Sequence, residues 1–348
     1  AKKTKSYLEN QKRLRRKIEK KYKDILFISG CGEDLPHPWR YRVKHQREQL
    51  EAYNYSTDEV YFTQLDIDQI RYYRAFVFFR CPMTETIGTF VDLAKQLNKT
   101  IIYDIDDLVI DTQYTDQIKY VMAMPEEDKK AYDNNVMNMQ KLLRKCDFAI
   151  TSTDCLAEEL RKYIPKVYIN RNVASEKMIQ LSKEAIVKIK KDNTKVKIGY
   201  FSGSITHNAD FEMIKPVLIE VLKKYENVEL CLAGELDLPV ELNPWKERIK
   251  KYPFGDWKKL PEILAEMDIN LAPLEDTIFN KAKSENKWTE AALVKVVTIA
   301  SDIGAFHDCI KNGETGVLCK DNDEWKVELE RLITDSLYRK KLGEQAYQ

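Results

Sequence analysis

A loop and helix near residue 285 carry charged side chains at a spacing that suits an anionic ligand. Lys283, Lys287 and Glu290 follow at i, i+4 and i+7, so a helix presents all three on one face. Ser284 is an N-cap candidate, because its hydroxyl can accept from the free N–H groups of a first turn. Two interpretations are open. One is a solvated face with an ion pair worth about 0–1 kcal/mol, and the other is a phosphate on the lysines with a sugar hydroxyl on the glutamate.

A second group of charged residues follows a predicted strand in the first half of the chain. Asp104, Asp106 and Asp107 stand at or just after the strand predicted over Thr100–Ile105. The open interpretations are a site for a hard metal ion, the nucleophile strand of a haloacid-dehalogenase-type phosphatase, loop hydrogen bonding, and contact with a ligand in a cleft. We favour the ligand contact, with Asp107 ahead of Asp104.

Length and composition set limits on these alternatives. The chain has 348 residues and a formal net charge of +1, which indicates two domains and gives no basic field for nucleic acid. Its 7 cysteines contain no CxxC pair, as expected for reduced thiols, and its 4 histidines are too dispersed to predict a metal site. The sequence has no apolar run near the length of a membrane span and no signal peptide. Because it begins at Ala1 and not at a methionine, the sequence leaves open whether it is a fragment of a longer protein.

Strands that alternate with helices predict two α/β domains in tandem. The strand Asp24–Ser29 ends in a glycine loop, which is how a doubly wound domain begins. The same pattern restarts at Val196–Phe201, after a polar stretch that ends at Thr194. We therefore predict a first Rossmann-like domain over residues 24–190, a second over 195–335 and a C-terminal helix over 336–348. Such domains bind ligands at the carboxyl ends of their strands.

Residues 1–23 are strongly basic and contain a thin apolar stripe. The pattern predicts either an amphipathic helix on anionic lipid head groups or a helix that connects to a preceding domain. The narrow stripe favours the connector. Arg40 and Arg42, past the first glycine loop, are candidates for contact with phosphate or a second substrate, and surface salt bridges are an equally open interpretation.

Taken in order, these motifs resemble the group 1 (family 4) glycosyltransferases of the GT-B fold, in which two Rossmann-like domains face each other across a cleft. The resemblance covers about residues 24–345, and the first-domain motifs are similar to a subgroup of bacterial surface-polysaccharide assembly. The residues that carry it are Tyr103-Asp-Ile-Asp-Asp-Leu108, Ile150-Thr-Ser-Thr-Asp154, Ile198-Gly-Tyr-Phe-Ser-Gly-Ser204, Asp268-Ile-Asn-Leu-Ala-Pro273, Lys283-Ser284, Lys287, Glu290-Ala291-Ala292, Thr298-Ile-Ala-Ser301 and Asn312-Gly313-Glu-Thr-Gly316.

The resemblance implies transfer of a sugar from a nucleotide-sugar to a glycan or lipid-linked acceptor, with retention of configuration. It implies that Glu290 holds the ribose hydroxyls, and that Lys283, the Ser284 amide and Lys287 meet the diphosphate. The base would pack near residues 253–257. Asp107 or Asp104 would orient the acceptor hydroxyl. No metal or other cofactor is implied, and we expect a cytoplasmic protein, with possible contact to the inner membrane face through residues 1–23.

The chain departs from the family pattern at two places. Group 1 enzymes commonly carry a second glutamate eight positions before the one matched by Glu290, and this chain has Ala282 there. The arginine-lysine pair that normally follows the first strand of the second domain is also missing. We expect His207 to replace these cations, with help from the Gly203 and Ser204 amides. These departures leave open a rival interpretation, in which the domain binds a ligand without catalysis.

Overall fold

A parallel β-sheet forms the centre of each of the two units into which the chain divides. The structure, a computed structural model, describes residues 22–32, 35–192, 194–202, 208–234, 236, 238–253 and 255–348. The first unit runs to Thr112 and includes Lys130–Thr151 and Ala157–Asn170. The second unit comprises Gln113–Lys129, Ser152–Leu156 and Arg171–Gln348. The basic segment of residues 1–23 lies outside the described residues except for its last two.

The first sheet has the strand order β2-β1-β3-β4-β5-β6, and every pairing in it is parallel. The chain builds β2 on one side of β1 and then returns to add β3 on the other side. The strand order therefore reverses between β1 and β3, where the carboxyl ends of the strands leave a crevice. The strands are β1 (Lys23–Ser29), β2 (Thr57–Tyr61), β3 (Tyr73–Phe79), β4 (Thr100–Asp104), β5 (Phe148–Thr151) and β6 (Val167–Ile169).

Helices cover the first sheet and bury its apolar side chains. Phe27, Val77 and Ile102 from neighbouring strands pack with Val43 in one cluster. On β3, Phe76 meets Phe90 edge to face, with the ring centroids 4.9 Å apart. The helices of this half of the chain are α1 (Pro36–Trp39), a π-helical turn (Arg40–His45), α2 (Gln46–Ala52), α3 (Glu85–Gln96), α4 (Thr112–Thr115), α5 (Lys119–Met122), α6 (Glu126–Lys145) and α7 (Asp154–Leu160), with 3₁₀ turns at Phe62–Gln64 and Ile67–Tyr72.

The second sheet has the order β12-β11-β10-β7-β8-β9 and is also fully parallel. Its order reverses between β7 and β10, because β8 and β9 extend the sheet from β7 on one side only. The strands are β7 (Val196–Ser202), β8 (Val228–Gly234), β9 (Ile249–Tyr252), β10 (Ile269–Ala272), β11 (Val297–Ser301) and β12 (Val317–Cys319).

The helices of the second half pack on both faces of this sheet. They are α8 (Glu176–Lys188), α9 (Asn208–Lys224), α10 (Leu260–Ala265), α11 (Ile278–Lys281), α12 (Asn286–Ala292), α13 (Gly304–Cys309), α14 (Asn322–Thr334) and α15 (Ser336–Tyr347), with 3₁₀ segments at Val240–Arg248 and Trp257–Lys259. None of the helices among the described residues is long and apolar enough to cross a membrane.

The structure groups helix α8 differently from the predicted domain boundary. The sequence analysis places residues 175–190 in the first domain. In the structure, Ala185 of α8 packs with Leu264 and Ala265 of α10, and α8 belongs to the second unit. The apolar face of the helix finds its partners there, which the charged composition around residues 190–195 does not indicate.

Candidate functional site

The reversal point of the second sheet gathers residues from three elements. Tyr200 lies near the carboxyl end of β7, Asp210 lies in the first turn of α9, and α12 follows β10 in the chain. Tyr200 and Asp210 are both buried. Ligands of doubly wound sheets bind outside the carboxyl ends of the strands at such a point, so this is the candidate site of the second unit.

Lys287 of α12 is the central cation of this site. Its Nζ is buried and, within the part of the chain that the structure describes, has no hydrogen-bond partner. It lies 4.8 Å from the centroid of the Tyr200 ring, which offers a cation–π contact. Burial lowers the pKa of Lys287 to about 8, while the carboxylates of Asp210 and Glu290 oppose this shift. A buried ammonium without a hydrogen-bond acceptor is poised to receive an anion.

Lys283 and Glu290 accompany Lys287 as the spacing predicts. Both influence the pKa of Lys287, Lys283 lowering it and Glu290 raising it. Glu290 is buried within α12, and the Nζ of Lys283 lies 4.8 Å from the centroid of the Phe279 ring. The three charges therefore share one neighbourhood.

The prediction that Ser284 caps the helix is wrong. Helix α12 begins at Asn286, its N-cap position is held by Glu285, and no side chain caps it. The Ser284 hydroxyl instead accepts from Nδ2 of Asn172 at 3.3 Å, and the same amide donates to Asn286 at 3.1 Å. Tertiary contacts with the segment before α8 thus replace the local cap.

Asn270 of β10 forms hydrogen bonds that hold helix α12 against the sheet. Its buried Nδ2 donates to the carbonyl of Lys287 at 3.0 Å and to the hydroxyl of Thr298 on β11 at 3.1 Å. Asn270 therefore links α12 to β10 and β11 and holds Lys287 in position relative to the sheet. It is the feature of the site that the sequence analysis missed, although a polar residue inside an apolar strand is a signal for it.

Position 282, where family members commonly carry a glutamate, is a buried core position in this chain. Ala282 is 0 % exposed, and its carbonyl accepts from the hydroxyl of Thr153 at 2.9 Å. A charged carboxylate there would lack both space and solvent. An alanine in place of the glutamate therefore fits the packing at position 282.

Several predicted donor-site residues cannot be placed. Gly203, Ser204 and His207 lie outside the described residues, as does Phe254 of the predicted base site. Their roles stay predictions.

In the first unit, Asp104 and Arg42 form a closed ion pair. Both side chains are 0 % exposed, and the guanidinium meets the two carboxylate oxygens at 2.9 and 3.0 Å. Gln46 donates to Asp104 at 2.8 Å, and Arg42 also donates to the carbonyl of Asn170 at 2.6 Å. These groups are thus engaged inside the protein rather than presented to a ligand.

Asp106 and Asp107 lie past the end of β4 and face Arg80 at the end of β3. Nε of Arg80 contacts Asp106 at 2.6 Å, and its Nη2 lies 3.7 Å from Asp107. Burial, together with the negative charge of Asp107, raises the pKa of Tyr132 on α6 to about 12, so its phenol stays protonated and can donate. Because β3 borders the reversal point of the first sheet, this is the second candidate location for a ligand.

Arg40 is also buried. Its guanidinium carbon lies 5.0 Å from the centroid of the Tyr41 ring. Its predicted contact with phosphate or acceptor stays a prediction. Among the described residues, no group of three histidine, cysteine, aspartate or glutamate side chains could hold a metal ion.

Comparison with known proteins identifies the second unit. Residues 195–335 match a family model described as glycosyl transferases group 1. The matched segment includes the site around Lys287 and Glu290, and this part of the second unit is therefore similar to group 1 glycosyltransferases. A search of curated proteins returned no match.

Solved structures are similar in fold to nearly the whole chain. HepE of Anabaena, solved in complex with UDP and glucose, is 14 % identical, with 94 % of each chain covered and a TM-score of 0.57. Sucrose-phosphate synthase of Thermosynechococcus elongatus is 12 % identical, with 93 % of each chain covered and a TM-score of 0.59. A glycosyltransferase of Rickettsia africae is 12 % identical, covering 94 % of this chain and 92 % of its own, with a TM-score of 0.58. The predicted α/β fold with two Rossmann-like domains, GT-B, is confirmed.

Proposed function

We propose that this glycosyltransferase moves a sugar from a nucleoside-diphosphate sugar to a glycan or lipid-linked acceptor, with retention of configuration. The observation that carries the donor assignment is the buried Nζ of Lys287, which lies near Glu290 at the reversal point of the second sheet and has no hydrogen-bond partner among the described residues. Lys287 and Lys283 would meet the diphosphate, and Glu290 the ribose hydroxyls. Each such charge-assisted bond contributes about 1.5–3 kcal/mol.

The same bonds would serve the reaction itself. As the bond between sugar and diphosphate breaks, negative charge grows on the departing phosphate oxygens. Cations fixed in a buried site stabilise that charge more than they stabilise the ground state. Retention and the nature of the acceptor rest on the resemblance to group 1 enzymes.

The first unit would supply the acceptor contacts. Of the predicted carboxylates, we place Asp107 at the acceptor rather than Asp104, because both oxygens of Asp104 are already bonded to Arg42 and Gln46. The same bonds remove the basis for a phosphatase in which Asp104 is the nucleophile. His207, Gly203 and Ser204 remain proposed donor contacts.

Calorimetric titration of the purified chain with UDP and UDP-glucose tests the proposal, since HepE is solved with UDP. Lys287→Met should weaken UDP binding about tenfold or more, because a charge-assisted bond to phosphate is lost. Lys281→Met is the matched control, because Lys281 is paired with Asp276 at 2.6 Å in the preceding loop and should leave binding unchanged.

The ribose contact needs its own comparison. Glu290→Ala should weaken UDP binding while leaving the variant indifferent to removal of the ribose 2′-hydroxyl, so that UDP and 2′-deoxy-UDP bind it equally. Wild type should prefer UDP. If both proteins discriminate against 2′-deoxy-UDP to the same degree, Glu290 does not hold the ribose.

A second candidate is a nucleotide-sugar-binding domain without transferase activity, which the buried Ala282 favours. It predicts UDP binding without release of free sugar or transfer to any alkyl glycoside. Transfer above background would exclude it.

A further inference from the structure

Two consecutive residues of the segment between β6 and α8 contact three consecutive residues at the start of helix α12. Nδ2 of Asn172 donates to the hydroxyl of Ser284 at 3.3 Å and to the side-chain oxygen of Asn286 at 3.1 Å. Nη1 of Arg171 lies 3.7 Å from Oε2 of Glu285, the residue at the N-cap position. The bonds of Asn172 span 112 and 114 positions of sequence, so the fold brings the two segments together.

Helix α12 depends on such contacts for its position. It has 7 residues, and no side chain caps its first turn. A helix this short is not stable by itself in water, because its first turn fixes several backbone dihedrals for one hydrogen bond. Lys287 is the second residue of the helix, so any shift of the first turn also moves the Lys287 ammonium.

Glu285 needs a cation beside it. The residue is 5 % exposed, and its Oε2 has no hydrogen-bond partner within the part of the chain that the structure describes. Burial raises the pKa of this carboxyl, and the negative charges of Asp308 and Asp154 add to the shift, while a backbone hydrogen bond and the charge of Arg171 oppose it. Without the guanidinium, an ionised Glu285 is a buried charge with negative neighbours, which disfavours the observed start of α12.

We propose that Arg171 and Asn172 are positioning residues that hold the first turn of α12 so that Lys287 meets the diphosphate of the donor. The inference rests on the proposed donor site and adds residues that control its affinity without contacting the nucleotide. Arg171 is itself held between two carboxylates, because its Nη2 also contacts Asp154 at 2.5 Å. Asn172 acts through hydrogen bonds, and Arg171 acts by neutralising Glu285.

A charge-removal cycle tests the role of Arg171, with calorimetric titration of UDP as the measurement. Arg171→Met should raise the Kd of UDP about tenfold, because the buried carboxylate loses its cation. Adding Glu285→Gln to this variant should return the Kd to within about threefold of wild type, since a neutral amide needs no counter-charge. Glu285→Gln alone should change the Kd less than about threefold, because Arg171 keeps its contact with Asp154.

Matched variants separate positioning from general effects of charge and stability. Asp308→Asn removes an exposed carboxylate near Glu285, and it should not restore binding to Arg171→Met. Arg171→Lys keeps the positive charge and should bind UDP more tightly than Arg171→Met.

Asn172 has its own control in the same segment. Asn172→Ala should raise the Kd of UDP about threefold or more, because the start of α12 loses two hydrogen bonds. Ser175→Ala removes the cap of α8, where the hydroxyl accepts from the Met178 amide at 3.2 Å. It should lower the midpoint of urea unfolding and leave the Kd of UDP unchanged.

The outcomes distinguish this inference from the proposed function. If wild type does not bind UDP, or if Lys287→Met binds it as tightly as wild type, the donor site fails and this inference fails with it. If the donor site holds, the inference alone is overturned when folded Arg171→Met binds UDP like wild type, or when Glu285→Gln restores nothing or strengthens binding equally in both backgrounds. Should Arg171→Met not fold, an equal Kd for Asn172→Ala and Ser175→Ala overturns it.

Discussion

Burial disfavours the charged form of the Lys287 side chain. Its pKa lies at about 8, against an ordinary value of 10.5, because burial costs the ammonium its hydration. That cost is unfavourable for the free protein. A bound anion would offset that cost, so the burial of Lys287 supports the proposed contact with a diphosphate.

The affinity for UDP should therefore fall as pH rises through about 8. Below that pH Lys287 carries its proton and attracts the diphosphate, whereas above it the free protein holds a neutral amine that must first take up a proton. A single such proton weakens binding by at most about tenfold per pH unit. Titration calorimetry from pH 6.5 to 9.5, in buffers of different ionisation enthalpy, measures both the affinity and the proton uptake.

Lys287→Arg provides the matched control, because a guanidinium keeps its charge across this range. Its UDP affinity should be flat where that of wild type falls. Parallel pH dependence in the two proteins would assign the titration to another group. Stability should change in the opposite sense, since a buried lysine with a lowered pKa stabilises the fold less at low pH than above pH 8.

Residue spacing predicts which charged residues of α12 lie together, but it does not predict the ion pairs that side chains form across the fold. The common neighbourhood of Lys283, Lys287 and Glu290 follows from helical periodicity, which is a local property. The pairing of Arg42 with Asp104 spans 62 positions in sequence, and no local pattern distinguishes an aspartate bonded in the core from one that faces a ligand. The sequence also does not predict the ion pairs of Arg80, because they join residues at the ends of two neighbouring strands.

At the scale of elements, the sequence predicts the interior strands and the edge strands β6 and β12, but it does not predict the edge strands β2 and β9. Interior strands such as β4 and β11 are nearly continuous apolar runs with both faces covered. The edge strands β2 and β9 are short and polar, with sequences TDEVY and IKKY, because one side of each meets solvent. The long charged helix α6 was missed for a related reason, since its mostly polar surface leaves few apolar positions to mark the helical period.

Asn270 links strand and helix, and its loss should loosen α12. Asn270→Leu is expected to reduce the free energy of unfolding by about 1–3 kcal/mol, because the carbonyl of Lys287 and the hydroxyl of Thr298 lose a buried donor. UDP affinity should fall as well, since Lys287 loses its support. Urea denaturation and UDP titration measure the two effects.

Thr298→Val is the comparison for that variant. It removes only the bond between the two side chains and leaves the bond to the Lys287 carbonyl in place. UDP affinity should then stay near that of wild type while stability falls modestly. Equal loss of affinity in both variants would show that general destabilisation, rather than support of α12, controls the site.

At the scale of the whole molecule, both sheets are parallel and each has one reversal point, but the charged groups at the two points differ. The second has Lys283 and Lys287 beside the buried acids Asp210 and Glu290. The first has Arg80 beside Asp106 and Asp107. The family match covers residues of the second unit alone, so the sequence supports the proposed donor site more strongly than the proposed acceptor contacts.

If donor contacts lie in the second unit and acceptor contacts in the first, as we propose, variants in the two units should act independently. Lys287→Met should raise KM for UDP-glucose, and Asp107→Asn should raise KM for a neutral sugar acceptor such as octyl glucoside, each through contacts made within its own unit. In the double variant, the losses in kcat/KM should add to within about 0.5 kcal/mol, as for groups that share no partner. Steady-state kinetics of wild type, both single variants and the double variant give the four kcat/KM values of this double-mutant cycle. A coupling of about 1 kcal/mol or more would mean that donor and acceptor contacts are not separable, and that one of the two assignments describes the wrong substrate.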